Sequence, residues 1–136
     1  MADLVTSTRP DLVFHLASHV AGARDLALVA PMLRANLVAA VNLMTALAGT
    51  APVPTVLAGS IEEPRVGEEP TPSSPYAAAK AAASRYALLF HSLYGLPVTT
   101  LRIAMVYGPG QPDATTSRSG LARHCSRCAG GTPGCE

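Results

Sequence analysis

Three short runs, apolar along most of their length, constrain this chain more than any other feature. They cover residues 11–17, 54–58 and 98–104. Each is bounded by Pro, Gly or Ser and is too short for a helix, so each predicts a buried strand. Segments with helical spacing lie between them. After Pro31, the residues Leu33, Leu37, Ala40, Val41, Met44 and Leu47 recur three or four apart and form one apolar face. Pro31 suits a first helical position and Gly49 the position past the end. Between Ser74 and Gly95 an alanine-rich stretch predicts the best-defined helix of the chain, because alanine has the highest helix propensity. Ser74 can cap it, Pro75 fits its first turn and Gly95 ends it. The order is strand, helix, strand, helix, strand. Wholly apolar strands alternating with helices predict a parallel sheet covered on both faces, with right-handed crossovers. Ligands of such sheets bind outside the carboxyl ends of the strands. Those ends are Ala17-Ser18, Gly59-Ser60 and Ala104-Met105. The first turn of the helix carrying Tyr76 should face the same edge.

With 136 residues, 49% hydrophobic, the chain fits one domain with a core of its own. A net charge of +1 with mixed signs gives no basic footprint for nucleic acid and no cationic face for a membrane surface. Polar residues break the apolar runs before the ~18 residues of a spanning helix. Met1-Ala2-Asp3-Leu4 lacks a basic leader, so the expected compartment is the cytoplasm. All three cysteines, Cys125, Cys128 and Cys135, lie near the carboxyl terminus, which is no disulfide framework. With His124 they could supply thiolates to zinc. The preferred reading is that they are incidental, and no metal site is assigned. From Gln111 onward large apolar residues thin out and periodicity disappears, which predicts disorder or a loosely packed end.

The chain contains one lysine against nine arginines, and that lysine stands four residues after a tyrosine in Tyr76-Ala77-Ala78-Ala79-Lys80. Positions i and i+4 share a helix face. An ammonium there favours the phenolate over the phenol. Such a tyrosine can act as a general acid or base near neutral pH. Ser60, at the end of the preceding strand, is placed to hold the oxygen that exchanges the proton. Taken alone, a Tyr-x-x-x-Lys is more readily a surface lysine beside a half-buried tyrosine. The helix start, the strand-end serine and the strand-helix order agree with the catalytic reading.

At these residues the chain resembles the extended short-chain dehydrogenase/reductases, the NAD-dependent epimerase/dehydratase group acting on nucleotide sugars. Arg9-Pro-Asp-Leu-Val-Phe-His-Leu-Ala-Ser18 is similar to the family's strand ending in His-Leu-Ala. Asn36-Leu-Val-Ala-Ala-Val-Asn-Leu43 resembles its Asn-x-x-Gly-Thr-x-Asn-Leu helix. Ser74-Pro75-Tyr76-Ala77-Ala78-Ala79-Lys80 resembles its Ser-Pro-Tyr-x-x-x-Lys. Leu101-Arg102 through Tyr107-Gly108-Pro109-Gly110 resembles its Leu-Arg…Tyr-Gly-Pro-Gly segment. The resemblance runs from Arg9 to about Gln111.

It implies an α/β fold, a partial Rossmann-like doubly wound parallel sheet with a β-α-β-α-β core, at residues 1–113. Residues 114–136 would be a disordered or out-of-frame tail. It implies that Tyr76 is the catalytic acid/base, that Lys80 bonds the nicotinamide ribose, and that Ser60 holds the substrate oxygen. Leu16, Ala17 and Ser18 would lie along the cofactor and Ile103 beside the nicotinamide. NAD or NADP would be the cofactor and a nucleotide sugar the substrate. Asn36 and His15 would be supporting rather than catalytic. Glu62 has the spacing of a dehydratase acid, with a solvated loop charge the favoured alternative. Met105 replaces an asparagine that contacts the substrate phosphates in many members. A homodimer would form through the helices carrying Asn36 and Tyr76. No Gly-x-x-Gly-x-x-Gly loop precedes Arg9, although that loop cradles the pyrophosphate in the family. The chain is therefore expected to be a fragment lacking the glycine-rich βαβ unit and the carboxyl-terminal substrate domain. The alternative function is a catalytically inactive remnant or an interaction fragment.

Overall fold

The computed structural model describes residues 1–50, 52–64, 71–104 and 106. The chain divides into a compact unit, Met1–Met105, and a second, Val106–Glu136. The Tyr107-Gly-Pro-Gly110 motif, Met105, the three cysteines and the tail expectations lie outside the described residues.

The compact unit is built on three parallel strands, β1 (Val13–His15), β2 (Thr55–Ser60) and β3 (Val98–Ile103), in the order β1-β2-β3. The register pairs Val13 with Thr55, Thr55 with Val98, and Ser60 with Ile103. The central strand is buried along nearly its whole length. The outer strands differ from the expectation of a sheet covered on both faces. Val13, His15, Val98 and Thr100 are half-buried, whereas Phe14, Leu101 and Ile103 on the other face are 61%, 50% and 43% exposed. The strand order explains this. Strands that advance in one direction through right-handed connections bring both intervening helices to the same face.

A helix not anticipated from the sequence, α1 (Ala2–Thr8), precedes the sheet and tucks Val5 into the core. The first connecting helix starts before Pro31. Asp25 accepts the amide of Ala27 at 2.9 Å and opens a 3₁₀ turn, Leu26–Leu28. It continues through α2 (Val29–Met32), a π-helical stretch (Leu33–Val38) and α3 (Ala39–Ala48). Pro31 is tolerated because it lies in the first turn of α2, where amide hydrogens lack intrahelical partners anyway. The π stretch also shifts the buried face. Instead of Leu33, which is 46% exposed, the inward residues are Met32, Asn36, Ala40, Met44 and Leu47. A wider turn keeps residues four apart in line. Gly49 does end the helix, but with a right-handed φ of −79°.

From Leu26 to Ala48 this helix runs 23 residues with a mean hydropathy of 1.6, long and apolar enough to cross a membrane by length and composition. The sequence reading of interrupted apolar runs missed this. Its inner face, however, is core: Met44 and Leu47 join Leu57, Ala83, Ala87 and Phe90 in one cluster.

The last helix, α4 (Pro75–Tyr94), matches its sequence signals closely. Ser74 is extended, and its Oγ accepts the Ala77 amide at 3.1 Å. Gly95 adopts a left-handed φ of 67°, and its amide reaches the His91 carbonyl at 3.1 Å. This conformation is inexpensive only for glycine. Leu96 then turns inward and is fully buried. The buried residues of α4 are Tyr76, Ala77, Ala79, Lys80, Ala83, Ala87 and Phe90, mostly spaced three and four apart. Small alanines let the helix lie close to β2 and β3, so a lysine on that face is carried into the strands.

Candidate active site

Lys80 is 4% exposed, and its Nζ donates to the Ala58 carbonyl of β2 at 2.8 Å. The helix alone could not specify this contact, because the two residues are 22 apart in sequence. It fixes the ammonium at the carboxyl end of the central strand. One turn earlier on the same face lies Tyr76, 7% exposed, with its ring centroid 5.9 Å from Lys80 Nζ. Tyr76 packs with Ala79 against Met32, which joins α4 to the helix carrying Asn36. The predicted tyrosine–lysine pair is therefore a buried pair and not a surface one.

Burial lowers the Lys80 pKa from its ordinary value, because the charged form has lost water, while the Glu63 carboxylate pulls it upward. His15, the last residue of β1, is also lowered, first by burial and then by the Lys80 ammonium. Lys80 is thus close enough to the end of β1 to be felt there.

Ser60 ends β2 and is 6% exposed. Its Oγ accepts the Glu62 amide at 3.2 Å, and a Glu62 carboxylate oxygen accepts from Ser74 Oγ at 3.3 Å. Ser60 thus reaches the first turn of α4 through Glu62 and Ser74, not by a direct bond to Tyr76. Glu62 is an exposed loop residue that carries this tie. Ile103 is beside Ser60 in the register and 43% exposed.

Leu16, Ala17 and Ser18 follow β1 and are exposed at the same sheet edge. Asn36 holds this turn in place. Its Oδ1 accepts from Ser18 Oγ at 2.7 Å and from the His19 amide at 3.1 Å, and its Nδ2 donates to the His19 carbonyl at 2.9 Å. Asn36 is 2% exposed and sits in the π stretch, whose extra width helps direct it inward. The supporting role expected for Asn36 has this definite form.

Sequence reasoning passed over Glu63. It is 6% exposed; its Oε1 accepts the Ser60 amide at 2.6 Å and its Oε2 accepts from Ser84 Oγ at 2.8 Å. A signal was available. Gly59 interrupts an apolar strand, and a strand glycine often marks the close approach of another group. A Cβ at position 59 would lie 2.7 Å from Glu63 Oε1 and 3.2 Å from the Leu101 carbonyl.

The residue types suit proton chemistry at the carboxyl ends of the strands. A buried phenol, a buried ammonium one turn away and a strand-end hydroxyl gather where parallel sheets bind ligands. Among the described residues, no group of three or more His, Cys, Asp or Glu is arranged to hold a metal ion.

Comparison with known proteins identifies the family and the fold. The model of the NAD dependent epimerase/dehydratase family matches residues 1–133. A curated relative, the UDP-glucuronate 4-epimerase of Thermodesulfobacterium geofontis (strain OPF15), is 47% identical over 49 residues, which cover 35% of this chain and 15% of that protein. The solved UDP-glucose 4-epimerase of Thermotoga maritima, with UDP-glucose, superposes with a TM-score of 0.71 at 28% identity, covering 82% of this chain and 39% of that one. The UDP-glucose 4-epimerase of Thermus thermophilus, in complex with NAD, gives 0.65 at 30% identity, covering 82% and 39%. The chain therefore spans well under half the length of these relatives.

Proposed function

The chain belongs to the NAD dependent epimerase/dehydratase family, and from that we propose that it carries the proton-transfer element of an NAD-dependent enzyme acting on a nucleotide-activated sugar. The observation that carries the reading is the buried Lys80 ammonium, held on Ala58 one turn from Tyr76.

Tyr76 takes the proton of a sugar hydroxyl as the carbon bearing it gives up hydride. Ser60 holds that oxygen by its hydroxyl. The cofactor, when bound, supplies the hydride acceptor and donor. The ketone left on the sugar then permits inversion, dehydration or release. Lys80 has three hydrogens; one goes to Ala58, and a ribose diol offers acceptors suited to the others. Leu16, Ala17 and Ser18, set by Asn36, would follow the dinucleotide, and Ile103 would flank the nicotinamide. The residues fit the nicotinamide-ribose end of NAD or NADP. For the pyrophosphate end the chain has no Gly-x-x-Gly-x-x-Gly. The second reading is a catalytically inactive remnant or interaction fragment without that loop. The exposed Leu33, Tyr86, Leu89 and Leu93 support a homodimer through the helices carrying Asn36 and Tyr76. The cytoplasm is the proposed compartment, with no nucleic-acid or membrane partner.

Titration of the 136-residue chain with NAD, followed by calorimetry or ligand-observed NMR, tests the reading. Saturable binding is expected, weakened roughly ten- to a hundredfold in Lys80→Met, as for one charge-assisted hydrogen bond. Micromolar affinity would remove the remnant reading. No binding at millimolar NAD would remove the enzyme reading for this chain.

A further inference from the structure

Glu63 is the one buried acid among the described residues that the proposed chemistry does not use. Groups from three elements hold it, two through its carboxylate and one through the backbone of its loop. The Ser60 amide at the end of β2 approaches Oε1 at 2.6 Å. Ser84 Oγ of α4, one turn beyond Lys80, approaches Oε2 at 2.8 Å. Arg102 of β3 holds the peptide of the same loop, with Nε on the Ser60 carbonyl at 3.2 Å and Nη2 on the Glu63 carbonyl. Gly59 leaves the space: a side chain there would meet Oε1 at 2.7 Å. A carboxylate held this tightly beneath a strand end, on the amide two residues beyond the Ala58 carbonyl that binds the Lys80 ammonium, is not a loop charge.

We propose that Glu63 is a positioning residue for the candidate active site: its carboxylate fixes the backbone of Ser60 and is the counter-charge of Lys80. The loop folds back so that one acid serves both groups. Through the Ser60 amide it sets the angle at which β2 presents the serine hydroxyl. Through its charge it raises the Lys80 pKa against the larger lowering by burial. The charged and titratable groups around Lys80 are Glu63 from the loop, His15 from β1, and Tyr76 on α4 itself. Arg102 reaches the loop from β3. Of these, Glu63 alone is an anion. The proposal rests on the assignment of Lys80 to the catalytic site, but its test does not need activity or cofactor.

Because the chain has a single lysine, labelling lysine with ¹³C gives one side-chain signal, and its pH titration is that of Lys80. Glu63→Gln keeps the shape and can still accept the Ser60 amide, but removes the charge. The Lys80 midpoint is expected to move further down in folded Glu63→Gln. Loss of the fold would send it the other way, toward about 10.4, the value of a solvated lysine. In Glu63→Ala the Ser60 amide is expected to exchange roughly ten- to a hundredfold faster, the consequence of losing one charge-assisted hydrogen bond. In the parent chain, the Glu63 carboxyl carbon is expected to show an inflection at the Lys80 midpoint, a readout that requires no variant. An unmoved or raised midpoint in folded Glu63→Gln, an unchanged Ser60 exchange rate in Glu63→Ala, or a parent carboxyl signal blind to Lys80 would each overturn the proposal. Failure to bind NAD would leave these readouts intact and would count only against the enzymatic reading.

Discussion

Replacing Asn36 with alanine tests whether one buried side chain holds the turn that follows β1. The amide of Asn36 makes three bonds to that turn, to Ser18 Oγ, the His19 amide and the His19 carbonyl. An intramolecular hydrogen bond contributes about 1 kcal/mol net, and a group left buried and unpaired costs more. Ser18 and His19 are exposed, so water can recover part of what alanine removes. The balance is about 2–3 kcal/mol, counting the three bonds near their net value. For a domain of this size that corresponds to a melting-point drop of roughly 7–14 °C. Urea and thermal unfolding by circular dichroism measure it. Amide exchange gives the local reading, since the His19 amide should lose protection selectively. Asn36→Asp separates geometry from charge. A carboxylate can still accept from Ser18 and His19 but cannot donate to the His19 carbonyl. It would also be a charge at a site only 2% exposed, so it should destabilise at least as much as alanine at neutral pH. An Asn36→Ala chain within about 0.5 kcal/mol of the parent, the range of an ordinary surface change, with His19 still protected, would refute the clamp.

Three further outcomes are expected. Ser74→Ala removes the acceptor for the Ala77 amide and the donor to Glu62, and should cost about 1 kcal/mol in urea unfolding, as a lost helix cap does. Met44→Ala, in the fully buried face of α3, should cost about 2–5 kcal/mol, whereas Leu33→Ala, on the exposed side, should cost under about 1; equal costs would contradict the π-shifted face. The pKa of His15 is lowered by burial and by Lys80, so the unfolded chain binds its proton first as pH falls below about 6.5. Stability should therefore decline with falling pH through that window until the folded imidazole is also protonated. His15→Asn should flatten this part of the profile, and an unchanged slope would show that His15 does not contribute.

The family and the tyrosine–lysine helix were legible because they rest on local signals. Ser74, Pro75 and Gly95 act within one turn of themselves, and the spacing of Tyr76 and Lys80 is a property of any helix. The order of strands and helices followed in the same way from apolar runs and their boundaries. The start of the first connecting helix was misplaced for a comparable reason. Pro31 is a familiar N-terminal signal, but the Asp25 cap and a 3₁₀ turn extend the helix ahead of it.

What the sequence by itself determined is which residue types occupy the strand ends and the inner face of α4. Only the tertiary structure decided what those residues meet. Lys80 could have snorkelled to solvent; packing of the alanine face of α4 on β2 sends it to the Ala58 carbonyl. Asn36 carries no mark that it would be turned inward by a π stretch onto Ser18 and His19. Glu63 reads as one acid among several in a polar loop until the gap at Gly59 and the approach of Ser84 and Arg102 enclose it. These contacts join residues 17 to 42 apart, and their partners are set by strand order and register. Periodicity carries no information about either, because it describes which way a side chain faces and not what another part of the chain brings to it.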